Sequence, residues 1–160
     1  RMSRGLGDVY KRQSEERPTL CANPAVDALA GHYDHEAHSL GVPVDWRLEL
    51  PRQLAIPEAD FCMMLGNLLE NAFHASQKLP PEQRQVKVMA RMLSPAMLGL
   101  LVENRYDGVL KRQQGTLHST KHDGMGIGLV SIQTAVSRYG GSITVETENC
   151  LFRVNILLNL

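Results

Sequence analysis

Three polar side chains, Asn67, Asn71 and His74, recur at i, i+4 and i+7 in the run LGNLLENAFHAS. That spacing places them on one face of a helix, beside its apolar stripe. Asparagine is a mediocre helix former, so two of them in mid-helix need a chemical reason. An amide oxygen is a neutral, hard ligand suited to Mg2+, an ion that keeps several waters and takes phosphates as further ligands. His74, one turn on, can donate to a phosphate oxygen. The same pattern also suits a solvated polar face, or an amide that caps a neighbouring loop. A second candidate is HDGMGIGL, residues 122–129, where Gly124, Gly126 and Gly128 precede an apolar helix. Closely spaced glycines let backbone N–H groups approach a phosphate chain, and a helix N-terminus adds its dipole. The run lacks the GK[ST] of a P-loop, and a polar loop instead of a strand precedes it, unlike a Rossmann fingerprint. A flexible hinge is the alternative. The third candidate is Asn104, at the end of LLVEN and followed by Asp107-Gly108. A short polar side chain there can read a purine edge, or can belong to a plain Asn/Asp/Gly turn. His32, His35 and His38 suggest a metal site or a phosphoacceptor, but their offsets spread them around a helix, and solvent-facing residues are the expectation.

The elements that must hold these groups follow from the hydrophobic pattern. Asn23 can N-cap and Pro24 suits the first helical position, with Val26, Leu29, Ala30, Tyr33 and Ala37 at helical spacing until Gly41 and Pro43. Val42 to Leu50 alternates as a strand. A second helix is expected from about Glu58 to Lys78, with Phe61, Met64, Leu65, Leu68, Ala72 and Ala75 as its stripe and Pro80-Pro81 as its stop. Gln85–Leu93 and Leu98–Val102 read as a hairpin around Ser94-Pro95. Arg105 to Gly124 is about 20 residues with few large apolar side chains, a length that usually marks a functional or disordered loop. A third helix from about Gly126 to Tyr139 and two strands, Ser142–Glu148 and Leu151–Leu158, complete the chain. The order α β α β β, loop, α β β predicts an α+β two-layer sandwich.

Composition narrows the function. The 160 residues fit one domain, 43% are hydrophobic and the formal net charge is zero, which leaves no electrostatic footprint for nucleic acid or anionic lipid. No apolar run approaches the roughly 18 residues of a membrane span, and no secretory h-region is visible near the start. Cys21, Cys62 and Cys150 are too scattered for a disulfide framework or a CxxC zinc site, and point to a reducing compartment. Residues 1–13 are unlike the rest. GLGDVYKRQ resembles the translation of a sequencing adaptor, so a non-native, disordered tail is expected there. The tail carries +3 and residues 14–160 about −3.

Taken together, DFCMMLGNLLENAFHAS, LHSTKHDGMGIGL and RYGGSITVETENCLFRVNILL resemble the ATP-binding (Bergerat, or GHKL) domain shared by histidine kinases, gyrase and certain heat-shock chaperones and mismatch-repair proteins. More narrowly, they look like the kinase domain of Agr-type peptide-sensing histidine kinases. The resemblance spans about Leu20 to Leu160. It implies a mixed, mostly antiparallel sheet covered on one face by three helices. It implies ATP and Mg2+ as ligands, with Asn71 the Mg2+ ligand and Asn67 at the position that is a water-activating glutamate in the hydrolytic members. An amide cannot act as that base, which favours phosphoryl transfer over hydrolysis. Glu70, three residues from Asn67, points elsewhere and is not assigned the role. His74 matches a basic position near the phosphates. Asn104 stands where most of the family has an adenine-reading aspartate, as in the Agr-type subgroup, with Asp107 and Gly108 the weaker match. Residues 106–123 become an ATP lid in which Ser119, Thr120 and Lys121 match an STK stretch, Lys121 neutralising phosphate charge. Gly124, Gly126 and Gly128 shape the phosphate side, and Leu129 packs beneath.

The implied activity is that of a protein histidine kinase fragment. The γ-phosphoryl group passes to a histidine on an upstream dimerisation hairpin, expected to be missing from this chain, and then to an aspartate of a response regulator. The fragment is expected to be a cytoplasmic, monomeric piece of a homodimeric, membrane-anchored sensor, without direct membrane contact. Three alternatives stand beside this: another GHKL ATPase, opposed by Asn67; an anti-sigma-type serine kinase, opposed by LHSTK; and a non-catalytic regulatory domain, left open by Asn104.

Overall fold

Helix α1 (Pro24–Leu40) begins where the pattern places it, because Asn23 Oδ1 accepts the Val26 N–H at 3.0 Å and Pro24 supplies a fixed φ with no donor to satisfy. Gly41, at φ 66°, ends it in the left-handed conformation, with Val42 N–H returning to Ala37 O. The computed structural model describes residues 17–109 and 125–160, the backbone alone for 125–128. Strand β1 (Val44–Glu49) follows, then helix α2 (Glu58–Gln77), whose first turn carries Glu58 and Asp60 against the helix dipole. A 3-10 turn at Pro81–Gln83 leads into β2 (Val86–Ser94) and β3 (Met97–Arg105). Helix α3 (Met125–Arg138), β4 (Ser142–Glu148) and β5 (Leu151–Asn159) complete the described elements.

The five strands form one sheet in the order β1-β2-β3-β5-β4. Only β1 and β2 are parallel, joined through α2, and the other pairs are antiparallel. Alternation decides the faces. Val86, Val88 and Ala90, Leu98, Leu100 and Val102, and Val154, Ile156 and Leu158 are buried under the helices. Phe61, Met64, Leu65 and Leu69 of α2 and Ile132 of α3 fill the space above them. Burying each such side chain contributes about 1.5–3 kcal/mol. The α+β two-layer arrangement with a mixed sheet matches the expectation.

Strand β3 is longer than its apolar run. It continues past Leu98–Val102 through Glu103 and Asn104, the strand end that LLVEN suggests, to Arg105. The register explains this: Lys87, Glu103, Arg153 and Glu146 line up across four strands on the open face. Arg153 binds Glu103 at 2.5 Å and Glu146 at 3.3 Å, so the polar tail of β3 is held by cross-strand charge pairing.

The connections fix the helix directions. The chain leaves α2 through Pro81–Gln83 and enters β2 at Val86, the partner of Asn104. It leaves α3 through Gly140-Gly141 and enters β4 at Ser142, the partner of Leu157, at the opposite end of the sheet. Gly141 is required there, since a Cβ would lie 2.0 Å from Leu157 O. Helices α2 and α3 therefore run antiparallel, and the Tyr139 hydroxyl just beyond α3 donates to Asp60 in the first turn of α2. The C-terminal half of α2, the N-terminus of α3, Asn104 and the β4–β5 turn all lie at one end of the sandwich. Asn23, Glu58, Asp60 and Tyr139 lie at the other.

Candidate functional site

Asn67 and Asn71 sit half-buried along α2 and His74 is exposed one turn further, as their spacing predicts. Asn67 Nδ2 donates to Met63 Sδ at 3.3 Å, a weak acceptor that leaves the amide oxygen available. Asn71 has no hydrogen-bond partner among the described residues. Two amide oxygens without strong partners, on one face and next to a histidine, form a donor set that fits a hydrated Mg2+ carrying phosphate oxygens. Glu70 is directed elsewhere. It accepts from the Tyr33 hydroxyl at 2.9 Å, which ties it to α1 and keeps it out of the Asn67–Asn71 face. Burial, then the bond and charge of Glu70, push the Tyr33 hydroxyl well above its ordinary pKa, so Tyr33 stays a donor.

Asn104 lies in β3, one residue before its end, close to the strand-end position that LLVEN suggests. It is 3% exposed, faces the helix layer and stands between Val86 and Phe152 in the register. Its Nδ2 donates to Arg105 O at 3.0 Å, and no described residue pairs with Oδ1. The amide therefore offers an acceptor at the end of the sheet. Asp107 and Gly108 form a local turn instead: Asp107 Oδ1 accepts the Val109 N–H at 2.8 Å, and Gly108 has φ 82°. That separates the buried candidate from the turn residues beside it.

The glycine-rich stretch is only partly described. Gly126 and Gly128 lie in the first turn of α3, where each costs roughly 1 kcal/mol relative to alanine. Helix α3 runs into the same end of the sandwich as Asn104 and the second half of α2. Leu129 is buried. Ser119, Thr120, Lys121 and Gly124, most of the 106–123 lid and the 1–13 tail lie outside the described residues. His32, His35 and His38 are exposed, and among the described residues no cluster of three His, Cys, Asp or Glu could hold a metal ion. Also among them, no helix is long and apolar enough to cross a membrane.

Sequence reasoning missed Ser76. The stripe was assigned to Ala75, but Ala75 is half-buried while Ser76 is fully buried. The signal was present: Ser76 follows Leu65, Leu69 and Ala72 at helical spacing.

Comparison with known proteins gives a family model that matches residues 57–159, described as a GHKL domain. A sensor protein, TdiS of Thauera aromatica, is 24% identical over 148 residues, covering 88% of this chain. This chain spans 27% of the length of that relative. Among solved structures, the mycobacterial sensor histidine kinase MprB superposes with a TM-score of 0.58 at 17% identity, covering 84% of this chain and 93% of that one. The full-length ShkA complex with AMPPNP gives a TM-score of 0.60 at 18% identity, covering 84% of this chain and 29% of that one. These likenesses show a shared fold.

Proposed function

The chain belongs to the GHKL domain family, and from that premise we propose that it is the ATP-binding catalytic domain of a two-component sensor histidine kinase. GHKL kinase domains bind ATP, and the relatives it resembles are sensor proteins and histidine kinases. The observation that carries the reading is the convergence of Asn67, Asn71 and His74 with buried Asn104 at the end of the sandwich where α3 begins. In this reading Asn104 takes the base and Asn71 supplies an amide oxygen to Mg2+. Asn67 helps to position the phosphates, as does His74. The metal ion, when bound, offsets phosphate charge as the γ-phosphoryl group is transferred. Asn67, an amide, cannot draw a proton from water, so this chain lacks at that position the base that hydrolysis would use.

The remaining assignments rest on the motifs. Residues 106–123 form the ATP lid, Ser119, Thr120 and Lys121 approach the phosphates, and Gly124, Gly126 and Gly128 open the phosphate side. LHSTK, HDGMGIGL and an asparagine at position 104 support the Agr-type subgroup. The phosphoacceptor is a histidine on a helical hairpin of the parent protein, which dimerises through it. The next acceptor is an aspartate of a response regulator. The domain works on the cytoplasmic side of a membrane-anchored parent.

The test is transfer in trans. With γ-labelled ATP, Mg2+ and a separately supplied acceptor hairpin, label is expected on the hairpin histidine, stable to alkali and labile to acid. Steady release of inorganic phosphate without labelled hairpin would overturn the kinase reading.

A further inference from the structure

Apart from Tyr33, whose hydroxyl donates to Glu70, the buried side chains with oxygen or nitrogen groups among the described residues are Asn23, Ser76 and Asn104. Asn23 is fully used, since it accepts from Val26 N–H and donates to Arg52 O and Glu58 Oε1. Ser76 is different. It is 0% exposed, and its Oγ has no hydrogen-bond partner among the described residues. A helical hydroxyl has an easy local solution, the carbonyl four residues earlier. Ser39, Thr134 and Ser137 all use it here, bonding His35 O, Val130 O and Gln133 O at 3.3, 3.0 and 2.8 Å. A buried hydroxyl that forgoes that bond calls for an explanation.

Its position supplies one. Ser76 is in the last turn of α2, on the buried stripe. Leu79, three residues on, lines one cavity with Arg105 and Tyr106, the two residues after Asn104. Ser76 and Asn104 are both buried, and each has a near sequence neighbour lining that cavity. Asn104 spends its Nδ2 on Arg105 O, which leaves it an acceptor. Ser76 has a hydroxyl hydrogen to donate.

We propose that Ser76 is a base-specificity residue acting with Asn104. The Asn104 amide oxygen accepts from the exocyclic amine of a purine, and the Ser76 hydroxyl donates, directly or through one water, to the adjacent ring nitrogen. An acceptor paired with a donor matches the amine and bare nitrogen of adenine. Guanine presents a carbonyl and an N–H at those positions, the opposite polarity. This assignment rests on the ATP-binding reading above.

The test uses the whole chain and Ser76→Ala, with MgATP, MgGTP and the magnesium complex of 1-deaza-ATP, in which the ring nitrogen is a C–H. The variant is expected to bind MgATP about three- to ten-fold more weakly, the range of one neutral hydrogen bond. Wild type should lose a similar factor on 1-deaza-ATP, and the variant should lose nothing further on that analogue. MgGTP binding should not weaken. Without nucleotide, removal of the unpaired hydroxyl should raise Tm by about 2–4 °C. Unchanged MgATP affinity, equal losses on MgATP and 1-deaza-ATP, or a lower nucleotide-free Tm would overturn the assignment while leaving the ATP reading intact. A wild-type chain that binds none of the three would overturn the ATP reading, and the assignment with it.

Discussion

The two ends of the helix layer treat polar side chains in opposite ways. At the Asn23 end, Asn23, Asp27, Asp60 and Tyr139 are all paired. Asn23 makes three hydrogen bonds, Asp27 accepts from Leu20 N–H at 2.7 Å and from Arg17 at 2.9 Å, and Tyr139 donates to Asp60. At the Asn104 end, among the described residues, Asn71 and Ser76 have no partner, Asn67 has only a sulfur and Asn104 Oδ1 has none. The β4–β5 turn at this same end is strained, with Asn149 at φ 52° and Cys150 at φ 60°. A fold held together at one end can leave the other end under-satisfied, and unpaired groups gathered in one place are what a ligand site requires.

The contrast can be broken most strongly at Asn71. Asn71→Ala removes an amide with no hydrogen-bond partner among the described residues, so it should reduce phosphoryl transfer to a supplied hairpin by on the order of 100-fold or more while Tm stays within a degree or two of wild type. A transfer assay beside a melting curve checks both halves. A variant that unfolds, or that transfers normally, would remove Asn71 from the site.

The mirror experiment is at the other end. Asn23→Ala loses the cap and strands Arg52 O and Glu58, at a cost of about 2 kcal/mol, a fall in Tm of roughly 4–8 °C. Nucleotide affinity of the folded fraction should not change. A substantial change in affinity would show that the two ends are coupled.

A smaller effect is expected from pH. Burial pushes the Asp27 carboxyl up, but the N–H of Leu20, the Arg17 guanidinium and the N–H of Cys21 outweigh it and hold the group below its ordinary value of 3.8. A carboxylate with a depressed folded-state pKa stabilises the fold fully above the unfolded value. That contribution fades as pH falls from about 3.8 toward the folded value. Asp27→Asn should therefore be less stable than wild type at pH 6, and the gap should narrow as pH falls through that window. A gap that does not change with pH would deny Asp27 this role.

The smallest effect belongs to the strained turn. Glu148 pairs with Leu151, leaving Asn149-Cys150 as a two-residue loop with both φ values positive. That conformation favours Asn-Gly. Cys150→Gly should relieve strain of about 0.5–1 kcal/mol, seen as a slightly higher Tm, with MgATP affinity unchanged. A lower Tm would mean that the thiol packs usefully against the neighbouring Gly108.

Local chemistry made much of this legible in the sequence. Asn23-Pro24 announces a capped helix, the α2 stripe shows its period, and Asn67, Asn71 and His74 do share a face. The end of β3 is only partly legible: LLVEN reads as a strand ending at Asn104, but nothing local shows that Glu103 is held there by Arg153, fifty residues away. Ser76 was passed over for a related reason. A serine beside alanines looks neutral in a one-dimensional pattern, and its lack of a partner appears only in three dimensions. The pairing of Tyr139 with Asp60 spans 79 residues and left no local trace.

The most direct measurement is titration of the whole chain with a fluorescent ATP analogue, with and without Mg2+, while phosphate release is followed. The under-satisfied end predicts binding that strengthens with Mg2+ and no steady release of phosphate until an acceptor histidine is added. Absence of binding, or binding indifferent to Mg2+, would contradict the site. Steady hydrolysis without an acceptor would contradict the kinase.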